Sequence, residues 1–207
     1  MGPFGSTRRA LPVYDFKAQL LQTIGSNAVT VVSGETGSGK TTQVPQFVLE
    51  QGSEHRIPCN IIVAQPRRIS AMSVAERVAS ERGEQIGGTV GYTIRLESKA
   101  TANTRLLFCT TGILLKRLEE DPTLQNVTHV FVDEVHERSI ESDFLLMCLK
   151  DMLPRRPQNQ PLKVVLMSAT LDADLFHRYF WGAPEVKFPG RTFPVRELYL
   201  EDVVEIT

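Results

Sequence analysis

Eight consecutive residues, Gly34-Glu35-Thr36-Gly37-Ser38-Gly39-Lys40-Thr41, match the spacing G-x-x-x-x-G-K-[ST], which brings glycines, a lysine and a hydroxyl together around phosphate. The glycines let the backbone curl until successive N–H groups point into one concavity, and the positive end of a following helix favours the same anion. Lys40 would reach the β- and γ-phosphates, and the Thr41 hydroxyl would take one position on a Mg²⁺ ion. Such a match carries weight only between a strand and a helix. Here Ala28 to Ser33 reads as a short apolar, β-branched strand and Thr42 to Gln51 as a helix. The plainer alternative, an exposed Gly/Ser turn ahead of a helix, does not require that context.

A phosphate loop alone hydrolyses nothing; it needs a carboxylate to hold the metal through its water shell and a base to orient the attacking water. Asp133 suits the first role and Glu134 the second, because both follow the apolar run Val130-Phe131-Val132 and so sit at the carboxyl end of a predicted strand. Taken alone, an Asp-Glu pair there would more often open the next helix as capping residues. The phosphate loop upstream turns the reading toward function. His136 is open from chemistry alone, since a lone histidine is as often structural as catalytic. Three more polar clusters end predicted strands: Gln65-Pro66-Arg67-Arg68, Thr110-Thr111-Gly112 and Ser168-Ala169-Thr170. Each could cap its helix, but four at one sheet edge read better as a functional rim.

The elements that must position these residues alternate along the chain. Helices are predicted over Asp15–Gly25, Ile69–Arg82, Gly112–Glu120, Ile140–Leu153 and Ala173–Phe180, and strands over Asn60–Gln65, Arg105–Cys109, His129–Asp133 and Leu162–Met167. Gly91 to Glu97 alternates as a strand or hairpin. Short β-rich runs separated by helices imply parallel strands buried on both faces, an α/β sandwich with ligands at the carboxyl ends of the strands. Pro154 to Pro161 reads as an exposed loop, Gly190 to Pro194 as a turn and Val195 to Leu200 as a further strand.

At 207 residues, 42% hydrophobic and 23% charged, the chain suits one domain with a substantial core. A membrane span needs roughly 20 apolar residues. The longest run, Phe144 to Leu149, has six. Met1 to Ser6 lacks the charged and apolar regions of a signal peptide and reads as an appended cloning scar, residues 1–6. Cys59, Cys109 and Cys148 are odd in number and far apart, as expected of reduced core thiols in an intracellular protein, nuclear or cytoplasmic. The net charge of −1 excludes a surface that is basic all over, so any nucleic-acid binding rests on a local patch. Between Gln65 and Arg105 seven basic residues face four glutamates, an excess that could equally be a solvated face.

Together, Gly34 through Thr42, Gln65-Pro66-Arg67-Arg68, Thr110-Thr111-Gly112, Asp133-Glu134-Val135-His136-Glu137-Arg138 and Ser168-Ala169-Thr170 resemble the ordered motifs of the first RecA-like lobe of a superfamily 2 helicase of the DEAH/RNA helicase A group. The match runs from about Leu11 to Glu201. It implies a RecA-like P-loop NTPase domain over residues 11–190, with a mostly parallel sheet and helices on both faces, and residues 191–207 beginning the connection to a second RecA-like lobe. It implies an ATP-dependent RNA helicase using ATP and Mg²⁺, with RNA as partner. Gly34, Glu35, Thr36, Gly37, Ser38, Gly39, Lys40, Thr41 and Thr42 would hold the nucleotide; Thr41, Asp133 and Glu134 the metal. The resemblance puts Lys40 and His136 with Asp133 and Glu134 in the catalytic set, and Arg67, Arg68 and Thr110 on the RNA backbone. His136, Ser168 and Thr170 would couple nucleotide state to lobe movement. Arg77 resembles the family arginine that stacks on the base, and it lies off the apolar stripe Met72, Ala75, Val78 and Ala79. Two positions depart from the common pattern: Val135 stands where many members have Ala, and Thr111 where many have Asp. The second lobe's arginine fingers have no counterpart in the sequence, so the isolated chain is expected to be nearly inactive. Rival readings are a nucleotide-regulated RNA-binding scaffold without turnover and a DNA-directed superfamily 2 helicase.

Overall fold

Apolar side chains leave each central strand in both directions, which commits both faces of the sheet to burial under helices. The computed structural model describes residues 5–157, 159–169, 173–190, 199 and 201. In chain order the elements are α1 (Gly5–Arg9), a 3₁₀ turn (Pro12–Phe16), α2 (Lys17–Ser26), β1 (Val29–Gly34), α3 (Lys40–His55), β2 (Ile61–Gln65), α4 (Arg68–Arg82), β3 (Val90–Ile94), β4 (Glu97–Lys99), β5 (Leu106–Thr110) and α5 (Thr111–Glu120). There follow β6 (His129–Val132), a 3₁₀ turn (Val135–Glu137), α6 (Ile140–Met152), a 3₁₀ turn (Leu153–Arg155), β7 (Lys163–Ser168), α7 (Ala173–Tyr179) and β8 (Glu185–Phe188).

The strands form one sheet in the order β4-β3-β5-β2-β6-β7-β1-β8, parallel throughout except for the β3–β4 hairpin. Val32, Val63, Phe108, Phe131 and Val165 pack with residues of α2, α3 and α4 on one face. Val31, Ile62, Cys109, Val130 and Leu166 pack with α5, α6 and α7 on the other. Each fully buried aliphatic or aromatic side chain contributes about 1.5–3 kcal/mol. The fold is the RecA-like α/β architecture expected from the order of elements.

Several details differ from the sequence reading. Helix α3 begins at Lys40, two residues before the expected start, because Gly39 at φ 93° ends the loop and the chain turns directly into the helix. Helix α1 includes Gly5 and Ser6, and Arg8 from it reaches Gln43 and Glu50 on α3. Strand β8 was not anticipated: its four residues, between Pro184 and Pro189, are too few for a periodic signal. The loop from Pro154 is not wholly exposed. Arg156 is buried and donates to the carbonyls of Thr123, Leu124 and Val127, tying down the segment before β6. Cys59 and Cys109 are buried thiols, and burial pushes Cys109 up to about 12; Cys148 is only half-buried, so it is not a core residue. The expected strand from Val195 lies outside the described residues, Tyr199 aside.

Strand β8 bears directly on the phosphate loop. Phe188, buried at its end, packs so closely on Gly34 that a Cβ there would overlap the ring. Gly34→Ala should therefore cost about 1–3 kcal/mol in urea unfolding, and most of that cost should disappear in the background of Phe188→Leu. Additive costs would mean the ring is not what requires glycine.

Candidate functional site

Because β5, β2, β6, β7 and β1 are parallel neighbours, their carboxyl ends lie side by side on one edge. Pairing sets Gln65 opposite Thr110, Ala64 opposite Val132, and Ser33 opposite Ser168. The four polar clusters and the phosphate loop, scattered over 135 residues of sequence from Gly34 to Ser168, thus form one continuous rim.

At its β1 end, the loop turns through Gly37 and Gly39 at φ 80° and 93°, conformations natural to glycine. A Cβ on Gly39 would also fall 2.9 Å from Leu11, and the Val13 N–H donates to the Ser38 carbonyl, so the segment before α2 braces the loop from outside. Helix α3 starts with no capping side chain and no acidic residue in its first turn. Its leading N–H groups and positive dipole end are left for an anion. Lys40, 4% exposed, stands at the first helical position. Buried Ser38 Oγ has no hydrogen-bond partner among the described residues. An open helix N-terminus, an enclosed ammonium and an orphaned hydroxyl fit a phosphate chain. Leu11, the loop residues Thr36 to Thr42, Arg77, Glu81 and Glu134 line a cleft of about 300 Å³.

Asp133, 1% exposed, projects from the end of β6 toward the loop. Its Oδ2 accepts from Thr41 Oγ1 at 2.7 Å and from Gln65 Nε2 at 2.8 Å, while Oδ1 accepts from the Glu134 N–H at 2.9 Å. A carboxylate and a hydroxyl, both hard oxygen donors, fit Mg²⁺, which takes one or two carboxylates and completes its shell with water and phosphate. Gln65 was read only as part of the basic cluster. Its hold on Asp133 was legible only once β2 and β6 were known to be neighbours.

Glu134 adopts φ 53°, uncommon for a residue with a side chain, and this turns the chain out of the strand so that Glu134 lines the cleft. Burial, then the neighbouring Asp133 charge, raise its carboxyl above the ordinary range, against the pull of the Lys40 ammonium. His136 lies in the 3₁₀ turn that follows, and its Nδ1 accepts from the Ala169 N–H at 3.3 Å, joining the turn to the end of β7. The same nitrogen lies 3.5 Å from Glu134 Oε2. While it accepts from the amide it cannot also donate to the carboxylate. Ser168 is buried at the end of β7; Thr170 lies outside the described residues.

The basic part of the rim lies beyond β2. Arg67, its side chain 70% exposed, pairs with Glu137 at 2.8 Å, and Arg68 Nη2 donates to the Arg95 carbonyl at 3.4 Å. Thr110 precedes α5 without making a capping bond, which leaves its hydroxyl on the rim. Arg77 lies apart from these on α4, held to Glu81 at 2.8 Å, and both line the cleft beside the loop. Glu137, which stands in the acidic motif without an assigned role, and Glu81, outside every motif, are the partners of these arginines.

Glu134 offers a direct electrostatic test. A raised carboxyl means that the fold favours the protonated form. Its stabilising contribution is fully present below the unfolded-state pKa and lost as pH rises through the folded-state one, so the charged group weakens the fold at neutral pH. Glu134→Gln should raise the Tm of the metal-free chain at pH 7, and the difference should shrink as pH falls toward the carboxylate range. A lower Tm for the variant at pH 7 would contradict the repulsion.

Comparison with known proteins adds an independent line. The family profile "DEAD/DEAH box helicase" matches residues 14–177. The chain is 58% identical to the DExH-box ATP-dependent RNA helicase DExH1 of Arabidopsis thaliana over 96% of its own length and 20% of the relative's. It is 55% identical to the human putative ATP-dependent RNA helicase DHX57, covering 97% of this chain and 14% of that one, and 49% identical to human ATP-dependent RNA helicase DHX29, covering 97% and 15%. The chain therefore spans a fifth or less of the length of these relatives. With that profile matching most of its length, the chain belongs to the DEAD/DEAH box helicase family.

Proposed function

We propose that this chain is the first motor lobe of an ATP-dependent RNA helicase, with the nucleotide and Mg²⁺ at the β1–β6 end of the rim and the RNA backbone at the β2–β5 end. The observation that carries the reading is the Thr41–Asp133 contact of 2.7 Å, which joins loop and carboxylate across 92 positions of sequence beside the open end of α3. Lys40 and the loop amides would bind the phosphates, with Thr41 and Asp133, and Glu134 beside them, arranged for the metal. Bound Mg²⁺ would neutralise charge on the phosphates and on the leaving group. Glu134, with its raised carboxyl facing the cleft, would orient the attacking water and take its proton. The His136–Ala169 bond and buried Ser168 support a coupling role for the end of β7; for Thr170 that role rests on resemblance alone. A second RecA-like lobe, supplied elsewhere in the parent protein, would complete the site. An intracellular setting, nuclear or cytoplasmic, agrees with three unpaired thiols. RNA-stimulated ATPase activity of the full-length parent tests the whole reading, and nucleotide-regulated RNA binding without turnover would favour the scaffold alternative.

Lys40→Ala should weaken Mg²⁺-dependent ADP binding to this chain by about 10- to 100-fold, the scale of one lost hydrogen bond to a charged group. Glu134→Gln should leave that affinity within a few-fold. The wild-type chain should turn over ATP negligibly without second-lobe cations, whereas in the two-lobed parent both variants should abolish turnover. Equal losses of affinity in the two variants, or robust hydrolysis by this chain alone, would contradict the assignment.

Arg67, Arg68 and Thr110 present donors suited to phosphate oxygens, and the two arginines stand exposed. In the two-lobed protein, Arg67→Ala with Arg68→Ala should weaken binding about equally across unrelated single strands. It should also flatten the slope of log affinity against log salt by roughly two or less. Loss confined to one sequence class, with an unchanged slope, would mean that these residues read bases.

A further inference from the structure

We infer that Glu81 is a positioning residue for the nucleotide site: a buried carboxylate that fixes Arg77 at the mouth of the cleft and ties it to the phosphate-binding helix. The inference rests on the nucleotide reading above and extends it to residues outside the recognised motifs.

Glu81 lies near the end of α4 with its side chain 2% exposed, and both carboxylate oxygens are engaged. Oε1 accepts from Arg77 Nε at 2.8 Å, while Oε2 accepts from Gln43 Nε2 at 2.8 Å and from Gln46 Nε2 at 2.9 Å. Arg8 of α1 brings a second cation, its Nε 3.9 Å from Oε2, and the same Nε donates to Gln43 Oε1 at 2.7 Å. Gln43 also donates to Thr42 Oγ1 at 2.9 Å, so the network reaches the phosphate loop itself. A buried carboxylate is costly without such partners, which makes these contacts obligatory for the fold.

The consequence falls on Arg77. Its side chain is half exposed, and a surface arginine in an i,i+4 pair is ordinarily weakly held. Here the acceptor cannot move, because both Gln43 and Gln46 hold it from α3. Bonding through Nε holds the Arg77 guanidinium beside the cleft that it lines with the loop. Glu81→Gln places an amide donor among three donors, so Arg77 is the partner released most cheaply.

The test uses this chain with Mg²⁺ and two probes: ADP, and inorganic tripolyphosphate, which has no base or sugar. Glu81→Gln should lower ADP affinity about tenfold when Arg77 is present and less than twofold in the Arg77→Ala background. Tripolyphosphate affinity should stay within twofold in both. Glu81→Asp keeps the charge but draws the carboxylate back by one methylene from the place where Gln43, Gln46 and Arg77 meet it; it should show the same Arg77-dependent ADP loss and serves if Glu81→Gln lowers the Tm too far to titrate. An equal ADP loss with and without Arg77, or equal losses for both probes, would overturn the inference alone, provided that Lys40→Ala weakens both probes. If Lys40→Ala weakened neither, the site reading would fall and the inference with it.

Discussion

The contacts made by the Asp133 carboxylate constrain the rest of the domain. They join the helix after β1, the end of β2 and the end of β6, so they exist only if three strands far apart in sequence are parallel and in register. A slip of one residue in β6 would turn Asp133 to the opposite face and put Phe131 where Val130 and Val132 now pack. The two apolar faces therefore fix the register, and the register assembles the polar rim. Core and site are one specification read on different sides of the same strands.

The same adjacency brings the two ends of the rim into contact. Gln65 belongs to the strand that carries the basic cluster yet holds the acidic one, and Arg67 pairs with Glu137, directly after His136. His136 in turn accepts from the first residue beyond β7. The 3₁₀ turn Val135–Glu137, with left-handed residues at Glu134 and Arg138 on either side, is thus tied to the phosphate side and to the basic side. No residue of this turn is more than a few bonds from a change at either end.

Much of this was legible in the sequence, for identifiable reasons. The phosphate loop, the acidic pair and the strand-end clusters are local patterns, and parallel α/β order alone carries them to one edge. What escaped was contact between patterns. Gln65 against Asp133 depends on which strands are neighbours, and Glu81 looked like one more charge on α4 until α3 was packed against it. Arg8 lay just before the expected domain start, yet it reaches Glu50, 42 residues on. Strand β8 is held by β1 and by the burial of Val186 and Phe188, not by any period of its own.

The outermost strands of the sheet carry a consequence for how such a lobe exists in solution. Strand β4 has three residues, all exposed, and presents Glu97 and Lys99; β8 has four, with Glu185 and Lys187 outward and Val186 and Phe188 inward. Short strands bearing both charge signs are poor templates for pairing with a strand from another molecule. Among the described residues, a sheet of eight strands with a strongly apolar interior thus ends at both margins in edges that disfavour further pairing, so its β-branched segments are kept from intermolecular ladders while the carboxyl-end rim remains open.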